Sequence, residues 1–171
     1  MRTRCGKFLS LFLGAMLWPA PANAEEPLAA GTFLVDRGVP PDFRGALLSA
    51  AEMLRRPGCR AVLEDFHDAR GRTLQENLDE MGLTANEYLG RVYWTRGLGL
   101  KRCDNRTVLA TTSPGSRVVF VCGPQFGAVQ RTDPEHSAHT LIHEMLHTLG
   151  LGENPPTPRE ITDRVSTRCG G

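Results

Sequence analysis

The chain has 171 residues, with 20 Lys+Arg against 19 Asp+Glu, a formal charge of +1 and 40% hydrophobic residues. That length suits one domain with a proper core, and the ordinary composition excludes a collagen, a coiled coil or a wholly disordered chain. The near-neutral balance excludes the basic footprint of a nucleic-acid-binding protein.

Residues 1–24 stand apart. Arg2, Arg4 and Lys7 make a positive start, an apolar run extends from Phe8 to Trp18, and Pro19, Pro21 and Ala22-Asn23-Ala24 follow. This layout predicts a secretory signal peptide cleaved after Ala24, and its apolar run is too short to cross a bilayer. The expected mature domain is 25–171, secreted or periplasmic, with no membrane association after cleavage. Without the three basic residues of the signal, 17 basic residues face 19 acidic ones, a charge of −2. Cys5 leaves with the signal. Cys59, Cys103, Cys122 and Cys169 then form an even set that predicts two disulfides in one of three pairings.

Residues 25–40 read as a loose, Pro/Gly-punctuated lead-in. Asp42 is placed to cap a helix from Phe43 to about Arg56, with an apolar stripe of Phe43, Ala46, Leu47, Ala50, Ala51 and Leu54 and a stop at Pro57-Gly58. Thr73-Leu74-Gln75-Glu76 is a capping box for a helix ending at Gly82, with Leu74, Leu78 and Met81 buried. Thr84-Ala85-Asn86-Glu87 repeats it for a short helix to about Leu89. Arg91–Thr95 reads as a strand. Thr107–Thr112 and Arg117–Cys122 read as a hairpin around Ser113-Pro114-Gly115-Ser116. Asp133 caps a helix that starts at Pro134 and runs to about Leu149, and Thr157-Pro158-Arg159-Glu160 opens another. The mixture predicts a single α+β domain with a small sheet and an active-site helix.

His143-Glu144-Met145-Leu146-His147 carries the chemistry. Two histidines four residues apart on a helix point the same way and can reach one metal ion, while Glu144 flanks the same site and can accept a proton from water bound there. Gly150 can end the helix in a left-handed conformation, so that Glu153 turns back as a third ligand. Glu160 is the rival third ligand, but its capping box gives it a local job, and Asn154-Pro155-Pro156 predicts an extended exit after Glu153.

The stretch His143–Glu153, H-E-x-x-H-x-x-G-x-x-E, resembles the metzincin metalloproteases, whose motif ends in a third histidine. The resemblance covers about eleven residues. It departs at Glu153, and no methionine follows Met145 to form a Met-turn. It implies a zincin-like zinc endopeptidase acting on a peptide or protein substrate, with Zn2+ on His143, His147 and Glu153 and Glu144 as general base. By the same resemblance, strand Arg117–Cys122 becomes the edge along which an extended peptide binds. A non-catalytic exported domain with a closed structural metal site is the competing expectation, with Glu160 or His139 as fourth ligand.

Among the remaining candidates, His139 reads as a partly exposed helix residue one turn before His143, His136 as a residue of the first turn, and His67 as a surface loop histidine. Tyr88 and Tyr93 are potential donors to a tetrahedral intermediate, with Tyr93 more at home in the core.

Overall fold

The computed structural model describes residues 33–170. The expected signal peptide, with Cys5, and the first part of the lead-in lie outside the described residues. The architecture is α+β: a four-stranded sheet with most of the helical mass packed around one buried helix. The strands are β1 (Leu34–Val35), β2 (Tyr93–Arg96), β3 (Ala110–Thr111) and β4 (Val118–Val121), in the order β1-β2-β4-β3. β1, β2 and β4 are parallel, and β3 runs antiparallel to β4.

The helices are α1 (Phe43–Arg55), α2 (Pro57–Arg60), α3 (Val62–Asp65), α4 (Leu74–Met81), α5 (Ala85–Arg91), α6 (Gly123–Thr132), α7 (Pro134–Thr148) and α8 (Pro158–Cys169), with a 3-10 turn over Lys101–Asp104. All three Thr-x-x-Glu capping boxes form as read. Asp42 does not cap α1: its own backbone is already helical and its side chain accepts no capping bond. Pro57 closes α1 as expected but also begins α2, where a missing N–H costs nothing. The lead-in contains β1, two residues too short to show an alternating pattern. α6 went unread because it opens with Gly-Pro and buries only Phe126 and Gly127. On α4, Asn77 is buried where Met81 was expected.

α7 packs against α1, α6 and α8 and lies across β3 and β4. Its Ala138, Leu141, Ile142, Met145 and Leu146 are fully buried, which accounts for its wide apolar face. Phe43 of α1 joins the layers, with its ring 5.5 Å from Trp94 of β2 and 5.0 Å from Phe126 of α6. Disulfides pair Cys59 with Cys169 and Cys103 with Cys122. The first ties α2 to the end of α8. The second ties the 3-10 turn to the end of β4.

Candidate metal centre

α7 starts where Asp133 accepts the His136 backbone N–H at 2.9 Å. It ends in a Schellman motif: the Leu151 N–H donates to Leu146 O and the Gly150 N–H to His147 O, with Gly150 at φ 112°. The chain therefore doubles back over the last turn of the helix. Asn154, at φ 63°, then closes a tight turn by donating to Pro156 O at 2.7 Å, in place of the expected extended exit. The result is that Glu153 returns to the histidines.

His143 Nε2 and His147 Nε2 are 3.1 Å apart, and Glu153 Oε1 is 3.2 Å from His147 Nε2. His143, His147 and Glu153 form a group that could hold a metal ion, with all three ligand atoms within 4.8 Å of one another. The tautomers follow from the outer partners. His147 Nδ1 faces the Leu151 carbonyl at 2.8 Å and must donate to it. His143 Nδ1 faces Thr162 Oγ1 at 3.1 Å, and that hydroxyl already donates its one proton to Pro158 O, so Nδ1 donates here too. In the neutral imidazoles both Nε2 atoms therefore carry lone pairs. Two lone pairs and a carboxylate oxygen converge with no proton among them, an arrangement that repels itself unless a cation sits between. Tetrahedral coordination at about 2.0–2.1 Å needs ligand atoms roughly 3.3 Å apart, close to the two spacings seen.

Glu144 is 6% exposed, and its Oε2 is buried without a hydrogen-bond partner among the described residues. Burial pushes its carboxyl up to about 8, helped by repulsion from Glu153, while Arg102 and the Thr112 backbone N–H act in the other direction. Burial holds His143 down at about 3, with His147 adding to the effect, which keeps its imidazole neutral and available.

These two shifts make the stability of the metal-free protein depend on pH. Folded Glu144 retains a proton that the unfolded chain releases above 4.5, so stability falls as pH rises from there through about 8. Unfolded His143 takes up a proton that the folded chain refuses, so stability also falls as pH drops from 6.5 towards about 3. Between pH 4.5 and 6.5 the two slopes oppose each other, and the chelated protein is expected to be most stable there. Urea midpoints measured against pH should show an alkaline decline that Glu144→Gln flattens. An unchanged decline in that variant would remove Glu144 as its source.

The three candidate ligands and Glu144 line a cleft of about 290 Å3, continuous in lining with a second hollow of about 260 Å3. A larger hollow of about 710 Å3 beside the Cys103–Cys122 bridge shares no lining residue with the cleft. One wall is Thr107–Thr112, which includes β3. The edge strand at the site is thus β3; the expected edge, Arg117–Cys122, contains β4, which lies between β2 and β3. The Cys122 N–H donates to Leu109 O at 2.9 Å and Ala110 is paired with Val121. In an antiparallel ladder hydrogen-bonded and open pairs alternate, so the Ala110 N–H and C=O point away from β4 into the cleft.

His136 and Thr140 line the opposite side, and His139 does not. His139 is instead buried, 5% exposed, with Nε2 3.8 Å from Glu135 Oε1, and burial lowers its pKa. Glu160 stays in its capping box, where Oε2 accepts from the Thr157 N–H and hydroxyl at 2.7 and 2.8 Å. Tyr88 is buried against Thr148 and Arg117, away from the cleft. Tyr93 is 42% exposed, not core, and donates to Asp36. His67 is exposed in its loop, as expected, where it forms a bridge with Thr73.

Sequence reading missed three supports. Thr162 of α8 orients His143. Arg102 lines both hollows. Asn77 of α4 donates through one amide nitrogen to Leu149 O at 3.0 Å and to Asp68 Oδ2 at 3.1 Å. Asp68 also bridges to Leu151, the residue whose carbonyl orients His147. None of these lies near the motif in sequence, although Thr162 follows directly from a readable capping box.

Comparison of the chain with protein-family models, with curated proteins and with solved structures gives no match.

Proposed function

We propose that the protein is an exported zinc metallopeptidase that cleaves peptide bonds in the cleft between α7 and β3. The observation that carries the reading is the convergence of two imidazole lone pairs and the Glu153 carboxylate beside a buried, half-partnered Glu144. Two histidines and one glutamate match a catalytic zinc set, and mixed nitrogen and oxygen donors suit zinc better than calcium or magnesium. When bound, zinc would supply Lewis-acid polarisation of a carbonyl and bring the pKa of a water close to neutral.

The chain's own residues supply the rest. Glu144 Oε2 is positioned to take a proton from the attacking water and return it to the leaving amine, while the Thr112 N–H steadies the carboxylate. The free Ala110 N–H and C=O offer an extended peptide two main-chain hydrogen bonds, which favours a peptide substrate over a small ester or amide. A closed structural site would need a fourth ligand, but Glu160 is held in its capping box and His139 does not line the cleft. The metzincin likeness lacks its Met-turn; here α8 packs against α7, with Ile161 and Val165 buried and Thr162 on His143. Two disulfides suit an oxidising compartment, and among the described residues no helix is long and apolar enough to cross a membrane.

The test is cleavage of a mixed peptide library followed by mass spectrometry. Cleavage should vanish with a strong chelator and return with zinc. Cleavage that persists in the chelator, or none with zinc restored, would overturn the reading.

A further inference from the structure

We propose that Arg102 selects the substrate by pairing with a carboxylate on the peptide, an inference that rests on the peptidase reading and names its substrate class. Arg102 is exposed and lines both hollows of the cleft, together with His147 and Glu153. It is the only lysine or arginine among their lining residues, and Glu144 and Glu153 are the only acids. A divalent ion at the histidines would balance those two carboxylates. The positive charge of Arg102 would then lack a counter-charge, and a substrate carboxylate can supply it.

Arg102 is also carried on a fixed backbone. Its neighbour Cys103 is bonded to Cys122 at the end of β4, and Cys103 O accepts from Gln125 Nε2. Gly97 lets the bridge lie against the backbone: a Cβ there would stand 2.7 Å from Cys103 Sγ. The segment that carries Arg102 is therefore stapled to the sheet whose edge forms the cleft wall. The carboxylate can come from an aspartate or glutamate side chain or from a free C-terminus, since both present the same group.

Binding to zinc-loaded Glu144→Gln protein, read by fluorescence anisotropy, separates these cases without relying on turnover. The probes are three acetylated peptides of one sequence: internal Asp with an amidated end, internal Asn with an amidated end, and internal Asn with a free end. At least one carboxylate peptide should bind about five- to tenfold tighter than the neutral one, as expected for a partly shielded ion pair, and the tighter one identifies the source. Arg102→Met should erase the difference, and Arg102→Glu should reverse it in favour of the neutral peptide. Equal binding of all three, a preference that survives Arg102→Met, or no binding at all would overturn the proposal. Incubation of the same peptides with the Glu144 protein keeps the two ideas distinguishable. Arg102-dependent binding without cleavage would sink the peptidase reading alone. Cleavage indifferent to the carboxylate would sink the selection by Arg102 alone.

Discussion

Glu144→Gln is expected to lower kcat by about 10³-fold while the protein still binds zinc. General acid–base groups contribute roughly 10²–10⁴-fold, and Glu144 is the one carboxylate at the cleft left over once Glu153 serves as a ligand. Glutamine keeps the shape and can still accept the Thr112 N–H, but it cannot hold the transferred proton. Metal affinity, measured by competition with a chromogenic chelator, should stay within about tenfold of wild type because both imidazoles and Glu153 remain. The opposite pattern belongs to His147→Ala: zinc is lost first and activity with it. If Glu144→Gln cleaves peptides as fast as wild type, Glu144 is not the base.

The second large effect concerns the Cys59–Cys169 bridge. Its cysteines are 110 residues apart, and a closed loop of about that length removes roughly 4–5 kcal/mol of chain entropy from the unfolded state. The Cys59→Ala/Cys169→Ala protein should lose about 4 kcal/mol in urea unfolding, a large part of the ~5–15 kcal/mol that such domains possess. The 19-residue separation of Cys103 and Cys122 predicts a smaller loss of about 3 kcal/mol. The first bridge acts on the site as well. Asp65 pairs with Arg164 and Arg168, and Arg56 donates to Cys169 O, all holding α8, the helix that orients His143 through Thr162. Zinc affinity should therefore fall with the first bridge. Equal stability of the two double variants would show that loop length does not govern the effect.

The legible parts of the fold are those whose cause lies within four residues. Thr73, Thr84 and Thr157 each meet a glutamate three positions on, and each starts a helix. The two candidate ligands on α7 and the Gly150 turn are legible for the same reason. Asp42 fails because its backbone turns helical one residue early, which no residue type announces. Helix phase explains why His136, read only as a residue of the first turn, lines the cleft while His139, expected to be partly exposed, is buried. At about 100° per residue, seven positions bring His136 within about 20° of His143, while four leave His139 about 40° away and facing the core. Arg102, Asn77 and Thr162 depend on how separate segments pack, so the edge role of β3 and the wall of the cleft were beyond sequence reading. The assignment of β4 as the edge erred because pairing order follows from tertiary packing and not from the order of strands in the chain.

Asn77 has a further consequence for when the centre comes into being. Its single amide nitrogen joins α4 to the turn that returns Glu153, and Asp68, which accepts from the same nitrogen, bridges to Leu151 of that turn. The candidate third ligand is thus held by a part of the chain some seventy residues upstream of the histidines. Without that docking the two histidines are still neighbours on α7, but Glu153 is not fixed beside them. If the proposed metal is bound, its capture and the docking of α4 become one cooperative event, and the centre forms only after the first half of the domain has folded onto the second.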